Sequence, residues 1–231
     1  MSKPEKTVRR MEVASVAVTI LQIGTVAAVW FSGIDGPIPI HFNASGEADG
    51  WAPRQQVAIL LAANTIIAAI SLIVCSRIAH GPRVADYSPA NWRSFTTGWM
   101  IGMVIPSLFA VFLAALGLGW TAPTDLEGPR WIQAFTGLIL VVAGALIGKT
   151  SPNPFVGVRT YWSKRSRLAW DKSNRLAGRL FCLIGLAGVV SAPFSPAPMG
   201  VVALVVAMAF AAFWAVYESF RVWRTDPDRQ P

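Results

Sequence analysis

Charge is what this chain has least of. Asp, Glu, Lys and Arg make up 14% of its 231 residues, against about a quarter in soluble domains. That deficit excludes an ordinary soluble domain. Cysteine is nearly absent too. Cys75 and Cys182 both fall inside apolar runs, so neither a disulfide framework nor a zinc site with Cys/His spacing fits; both read as small buried hydrophobes. There are two histidines. No Gly-x-Ser-x-Gly elbow, His-Glu-x-x-His pair or phosphate-binding loop is present. The apolar runs hold Gln22 and Asn64 but no central Asp, Glu, Lys or Arg, which argues against proton or ion coupling through them.

What is present is apolar sequence. Hydrophobic residues make up 54% of the chain and mean hydropathy is +0.49. Six runs are each long enough for the ~30 Å hydrocarbon core, which takes about 20 residues. They are Val13–Phe31, Gln55–Ser76, Ser94–Trp120, Trp131–Gly148, Leu176–Phe194 and Met199–Val222. The first is too long for a signal-peptide core and no small-x-small site closes it, so it reads as a retained helix. Gln22 and Asn64 read as helix–helix contacts. Gly98-x-x-x-Gly102 and Gly144-x-x-x-Gly148 offer close-packing faces, and Pro106 predicts a kink. The fold class expected is all-α: a polytopic bundle of six transmembrane helices.

The net charge is +8, and its distribution decides its meaning. Lys3, Lys6, Arg9 and Arg10 precede the first run, and Arg77, Arg83 and Arg93 follow the second. A cluster extends from Lys149 to Arg175, and Arg221, Arg224 and Arg229 lie near the end. The alternate loops hold Arg54 and Arg130 against Asp35, Glu47, Asp49, Asp125 and Glu127. The bias puts both termini and the cluster in the cytoplasm. Because the basic residues follow loops and not one soluble domain, direct nucleic-acid binding is not expected. Trp30, Trp51, Trp92, Trp120, Trp131 and Trp223 near run ends form an aromatic belt.

Two polar stretches stand out. The cytoplasmic loop 149–178 contains Asn-Pro-Phe-Val-Gly-Val-Arg from Asn153 to Arg159, then Trp162, Trp170, Asn174, Arg175 and Gly178. Pro154 fixes φ there, and Gly157 permits a turn few residues tolerate. From Ser163 a short helix is expected, with Asp171 spaced to pair with Arg167 and Arg175. The outer loop 32–54 contains Pro39, His41, Phe42, Asn43, Gly46, Asp49 and Trp51. Pro37 and Pro39 force an extended approach, Asn43 and Asp49-Gly50 are turn chemistry, and Pro53 suits a helix start. An ordered loop is expected, in which His41, Glu47 and Asp49 could meet as a metal or acid/base cluster or simply brace a turn. His80 reads as an exposed loop residue.

The first stretch resembles the core motif of the SdpI family, bacterial integral membrane proteins associated with immunity to secreted killing peptides. Tyr161 stands where a Pro is common, and Asn174 where a His is common, which removes a titratable group. The second stretch resembles a short domain that often precedes that core. Residues 1–90 then form a two-helix module with the outer loop, and 91–231 a four-helix core. The resemblance implies a multi-pass protein of the bacterial inner membrane, not an enzyme, without cofactor or metal. It also implies protection against a secreted peptide, with membrane lipids and a cytoplasmic repressor as further partners. In that reading Arg159 is an anchor bonding carbonyls or a carboxylate, and Trp162 and Trp170 seat the loop at the interface. The basic helix could equally bind anionic lipid. The alternatives are a small transporter or channel and, behind it, a membrane enzyme using His41 and Asp49.

Overall fold

The computed structural model describes residues 3–43, 47–82, 87–120, 128–153, 156–196 and 198–230. In chain order they form α1 (Lys3–Ser32), β1 (Ile38–Phe42), β2 (Ala48–Ala52), α2 (Arg54–Ala79), α3 (Pro89–Gly117), α4 (Gly128–Ile147), α5 (Tyr161–Arg165), α6 (Arg167–Ser191) and α7 (Met199–Thr225). Six of these helices are long and apolar enough to cross a membrane, as the apolar runs predict. The one addition to the all-α expectation is a two-stranded antiparallel sheet. Two helix boundaries differ from the expected ones. The first helix begins at Lys3, so the basic N-terminal residues prolong it. The basic segment and the fifth apolar run are one continuous helix, α6. The helix expected from Ser163 through Arg175 is interrupted at Ser166, whose φ of −144° and ψ of 119° are extended, so that α5 ends at Arg165 and α6 begins at Arg167.

The chain divides into two compact units, Met1–Asp86 with Trp99–Asp125, and Tyr87–Gly98 with Leu126–Pro231. Helix α3 is shared between them, its residues from Trp99 clustering with α1 and α2 and its earlier residues with the second unit.

In the first unit, α1 and α2 pack with the later part of α3. Val29, Val57, Ala58, Leu61, Ala110 and Ala114 form a core, and Ile38 and Ala52 from the hairpin close it. The two strands of the outer loop are tied to the helices there, because their first and last residues are buried. Arg54 at the start of α2 donates to the Gly33 carbonyl (2.8 Å) and pairs with Asp35 (2.7 Å). Pro53 immediately precedes that helix in extended backbone. Gln22 Nε2 donates to Ser107 Oγ (3.2 Å), and Asn64 Nδ2 to the Pro106 carbonyl (2.9 Å). Both amides are helix–helix contacts, as expected. Helix α3 continues through Pro106. At Gly102 an added Cβ would collide with the Ser71 hydroxyl of α2.

In the second unit, α4 and α6 approach along facing glycines. A Cβ on Gly137 would sit 2.7 Å from the Gly185 carbonyl oxygen, and one on Gly144 2.6 Å from that of Gly178. A Cβ on Gly178 would meet Gly144 O at 2.7 Å and Gly148 Cα at 2.8 Å. No methyl fits those gaps, so the helices sit backbone against backbone, the close packing that small residues allow in membranes. At the end of α4 far from the motif loop, buried Gln133 donates to Gly188 O (3.0 Å) and Ser191 Oγ (2.8 Å) of α6. The sequence reading passed over that amide.

A direct test follows. Replacing Gly144 by Val forces α4 and α6 apart and lowers stability by about 1–3 kcal/mol, the usual cost of overpacking. Gly24→Ala is the control, since nothing lies within 4 Å of an added Cβ there. Thermal unfolding of the purified protein in detergent should show a large drop for the first variant and none for the second. Equal midpoints would mean that the glycine contact contributes nothing.

Candidate functional site

The motif loop folds because its polar side chains satisfy its own backbone. Asn153 Oδ1 accepts from Val156 N (2.8 Å), and its Nδ2 donates to the carbonyls of Ser151 (2.7 Å) and Val156 (3.0 Å). That ring of bonds makes the turn which follows Thr150. Pro154, invoked above to fix φ, and Phe155 lie outside the described residues. Gly157 has φ of +125°, in the region that favours glycine. A Cβ there would also collide with Asn174 Oδ1 and stand 3.1 Å from the Trp170 ring.

Asn174 is the latch. It is 1% exposed. Its Oδ1 accepts from Val158 N (2.7 Å) and its Nδ2 donates to the Trp170 carbonyl (3.0 Å), so one amide joins the loop backbone to α6. Trp170 is also 1% exposed, and its indole N–H donates to the Thr150 carbonyl (3.0 Å). It is therefore no interface anchor. A buried indole needs an acceptor, and the loop supplies one. Trp162 is half-buried and meets Phe220 of α7 edge to face, with ring centroids 5.1 Å apart. Gly178 is the close-packing glycine already described.

Hydroxyls that the sequence reading missed complete the scaffold. Thr160 caps α5 by accepting from Ser163 N (3.0 Å) and is bonded to Ser219 of α7 (2.8 Å). Ser163 Oγ donates back to the Val158 carbonyl (2.6 Å). Ser166 caps α6 by accepting from Ala169 N (2.9 Å), and it donates to buried Asp226 beyond the end of α7 (2.5 Å). Gln230 N donates to the Arg165 carbonyl (2.8 Å). The available signal was a Ser or Thr three residues before a helical N–H, an N-cap pattern.

The cations face the other way. Arg159, Lys164, Arg167, Lys172, Arg175 and Arg179 are all exposed. Arg159 makes no hydrogen bond or ion pair among the described residues, so the structure does not make it an internal anchor. The spaced pairs of Asp171 with Arg167 and Arg175 do not form either; the ion pairs among the described residues lie elsewhere. Arg165 instead covers the Tyr161 ring, 3.7 Å from its centroid. The motif residues thus separate into an interior frame (Asn153, Gly157, Trp170, Asn174, Gly178) and an outward display (Arg159, Arg175).

The outer-loop residues gather on the hairpin. Pro39 pairs with Trp51 and His41 with Gly50. Pro39 is buried and Phe42 half-buried. His41 Nδ1 lies 2.5 Å from Asp49 Oδ1, with side chains 72% and 44% exposed. Glu47 does not join them; it bonds with Asn43, through Nδ2 to Oε2 (3.2 Å) and Oδ1 to the Glu47 N–H (3.0 Å). Gly46 lies outside the described residues. Among the described residues no three His, Cys, Asp or Glu side chains converge as metal ligands; the His41–Asp49 contact joins the two strands at an exposed position. Trp51 is 49% exposed beside it. A second acid was overlooked: Glu12 of α1 accepts from Ser76 Oγ (2.6 Å) and lies 3.4 Å from His80 Nε2.

Taken together, six spanning helices, a glycine-packed core and a self-bonded polar loop define a multi-pass helical membrane protein. Residues 149–218 match the SdpI/YfhL protein family, and residues 17–71 match a domain of unknown function (DUF1648). The two matches are consistent with an SdpI-type core preceded by that N-terminal domain. The first match covers the motif loop, α5, α6 and most of α7; the second covers most of α1, the hairpin and much of α2. The family is of the membrane immunity type and is not a known enzyme family. No curated protein and no solved structure matches the chain.

The latch can be tested on the backbone it holds. Asn174→Leu leaves Val158 N–H buried without an acceptor, a loss of about 1–3 kcal/mol. Gly157→Ala should loosen the same loop through strain and collision. Hydrogen exchange should rise over residues 156–160 in both variants while α4 stays protected. Unchanged exchange would remove Asn174 from its role.

Proposed function

We propose that this protein is a bacterial inner-membrane immunity protein, which protects the cell against a secreted killing peptide. The observation that carries the reading is the family match over 149–218, whose motif residues form one bonded frame around Asn174. Both termini and the motif loop lie on the cytoplasmic side in this reading, where the positive charges belong. The hairpin then faces outward, presenting Ile40, His41 and Trp51. An exposed tryptophan on a braced hairpin suits the apolar side chains of a membrane-active peptide, because aromatic anchors give large contact area at small entropic cost.

A second role, docking of a cytoplasmic repressor, is favoured by one observation. Arg159 and Lys164 project from the frame and spend no charge inside it. The transporter alternative is weaker, since Gln22 and Asn64 are both engaged between helices.

The test is survival of peptide-sensitive bacteria expressing the wild type, Trp51→Ala or Arg159→Ala at matched membrane levels. Wild type should protect, Trp51→Ala should lose most protection, and Arg159→Ala should keep the fold because no internal bond is removed. Loss of protection in Arg159→Ala would give the loop a part in immunity itself; retention confines it to the second role. A wild type that protects against no peptide tried overturns the reading. His41→Ala should keep partial protection, whereas complete loss would favour the enzyme alternative.

A further inference from the structure

Helix α6 carries two kinds of outward surface on one side. At 100° per residue, Arg167, Lys172, Arg175 and Arg179 fall on the same roughly 160° arc as Leu183, Leu186 and Val190. All four cations are exposed, and the three apolar residues are 64%, 56% and 62% exposed. The only acid on that arc is Asp171. The rest of the circumference holds Ala169, Trp170, Ser173, Asn174 and Ala177, all buried. The outward stripe therefore changes from cationic to lipid-compatible within one turn, between Arg179 and Leu183.

Length fixes the depth of that change. From Leu180 to the helix end at Ser191 the axis covers about 18 Å at 1.5 Å per residue. The hydrocarbon core is ~30 Å thick. The part of α6 beyond Arg179 is shorter than that, so the spanning segment takes in Arg179 near its end, and Arg179 and Arg175 are drawn to the boundary between acyl chains and headgroups. A guanidinium at that depth needs an anion, and neither arginine has a carboxylate partner among the described residues.

We propose that Arg175 and Arg179, with Lys172 beside them, form a binding site for the phosphate of an anionic phospholipid. The two arginines lie one turn apart and offer forked donors that fit phosphate oxygens. The acyl chains run down the Leu183–Leu186–Val190 stripe. A soluble acidic protein would meet Arg159, Lys164 and Arg167 first; the two deeper arginines and their apolar continuation suit a lipid.

The experiment uses the full-length protein purified in zwitterionic detergent. Retention of phosphatidylglycerol and of phosphatidylcholine is measured by native mass spectrometry for the wild type, Arg175→Gln/Arg179→Gln and Arg175→Lys/Arg179→Lys. Thermal unfolding without added lipid confirms that each variant is folded. Wild type should retain phosphatidylglycerol over phosphatidylcholine. The glutamine variant should bind it on the order of tenfold more weakly or worse, given roughly 1 kcal/mol per basic residue at a charged surface. The lysine variant should recover much of the binding but less of the headgroup selectivity. Equal retention of the two lipids by the wild type, or equal phosphatidylglycerol retention by wild type and glutamine variant, overturns the proposal. So does stabilisation by inorganic phosphate alone that matches the lipid's, which would assign the arginines to a soluble anion.

Discussion

One side-chain amide holds the motif together. Asn174 accepts from the Val158 N–H with its oxygen and donates to the Trp170 carbonyl with its nitrogen. That single group ties a non-helical loop to a helix that continues into the membrane. Several other features are conditions of it. Gly157 has no side chain where Asn174 Oδ1 stands. Trp170 fills the space beneath the loop and bonds back to Thr150. One turn below, Gly178 lets α4 approach closely enough for Gly144 and Gly148 to cover the same helix. An unpaired amide at this position would cost more than a surface bond returns, because Asn174 is 1% exposed. A carboxamide has no proton to gain or lose near neutral pH, so this latch holds without regard to pH.

The six spans were legible because hydrocarbon imposes a length and an apolar composition that a sequence states openly. The ordered outer loop was legible through Pro37, Pro39 and Asp49-Gly50, whose backbone preferences leave few alternatives. The continuity of α6 was not. Its buried face from Ala169 to Gly178 is made of small and polar residues around one tryptophan, so a hydrophobic period has nothing to register. The exposed face is cationic, which reads as a separate short helix outside the apolar run. Trp170 was misread for a related reason. Tryptophans near run ends belong at interfaces by default, and only the carbonyl of Thr150, brought close by the fold, gives this one a buried partner. The opposite error concerns Arg159. A motif arginine invites a bonding partner, yet the frame is complete without it.

The hydroxyls show what a reading built on charged and aromatic residues passes over. Thr160 and Ser166 each end extended backbone and start a helix, and each also reaches a residue at the far end of the chain, Ser219 and Asp226. The break between α5 and α6 is thus specified twice, by local caps and by α7. Capping bonds alone contribute about 1 kcal/mol each; linking them across sixty residues of sequence makes the break depend on the whole core being folded.

That dependence separates frame from display. Frame residues point inward and satisfy one another, so their replacement disturbs the fold before it disturbs any partner. Displayed cations point outward without internal bonds, so their replacement leaves the frame and alters only what meets it. Depth divides the display again. Arg159 and Lys164 stand on the loop and α5, while Arg175 and Arg179 stand on a membrane helix just above its apolar stripe. On the two proposals made above, a cytoplasmic protein and a lipid phosphate would approach different cations of the same cluster. Binding one need not displace the other, and lipid held at Arg175 and Arg179 would fix the height of α6 at which the loop is presented.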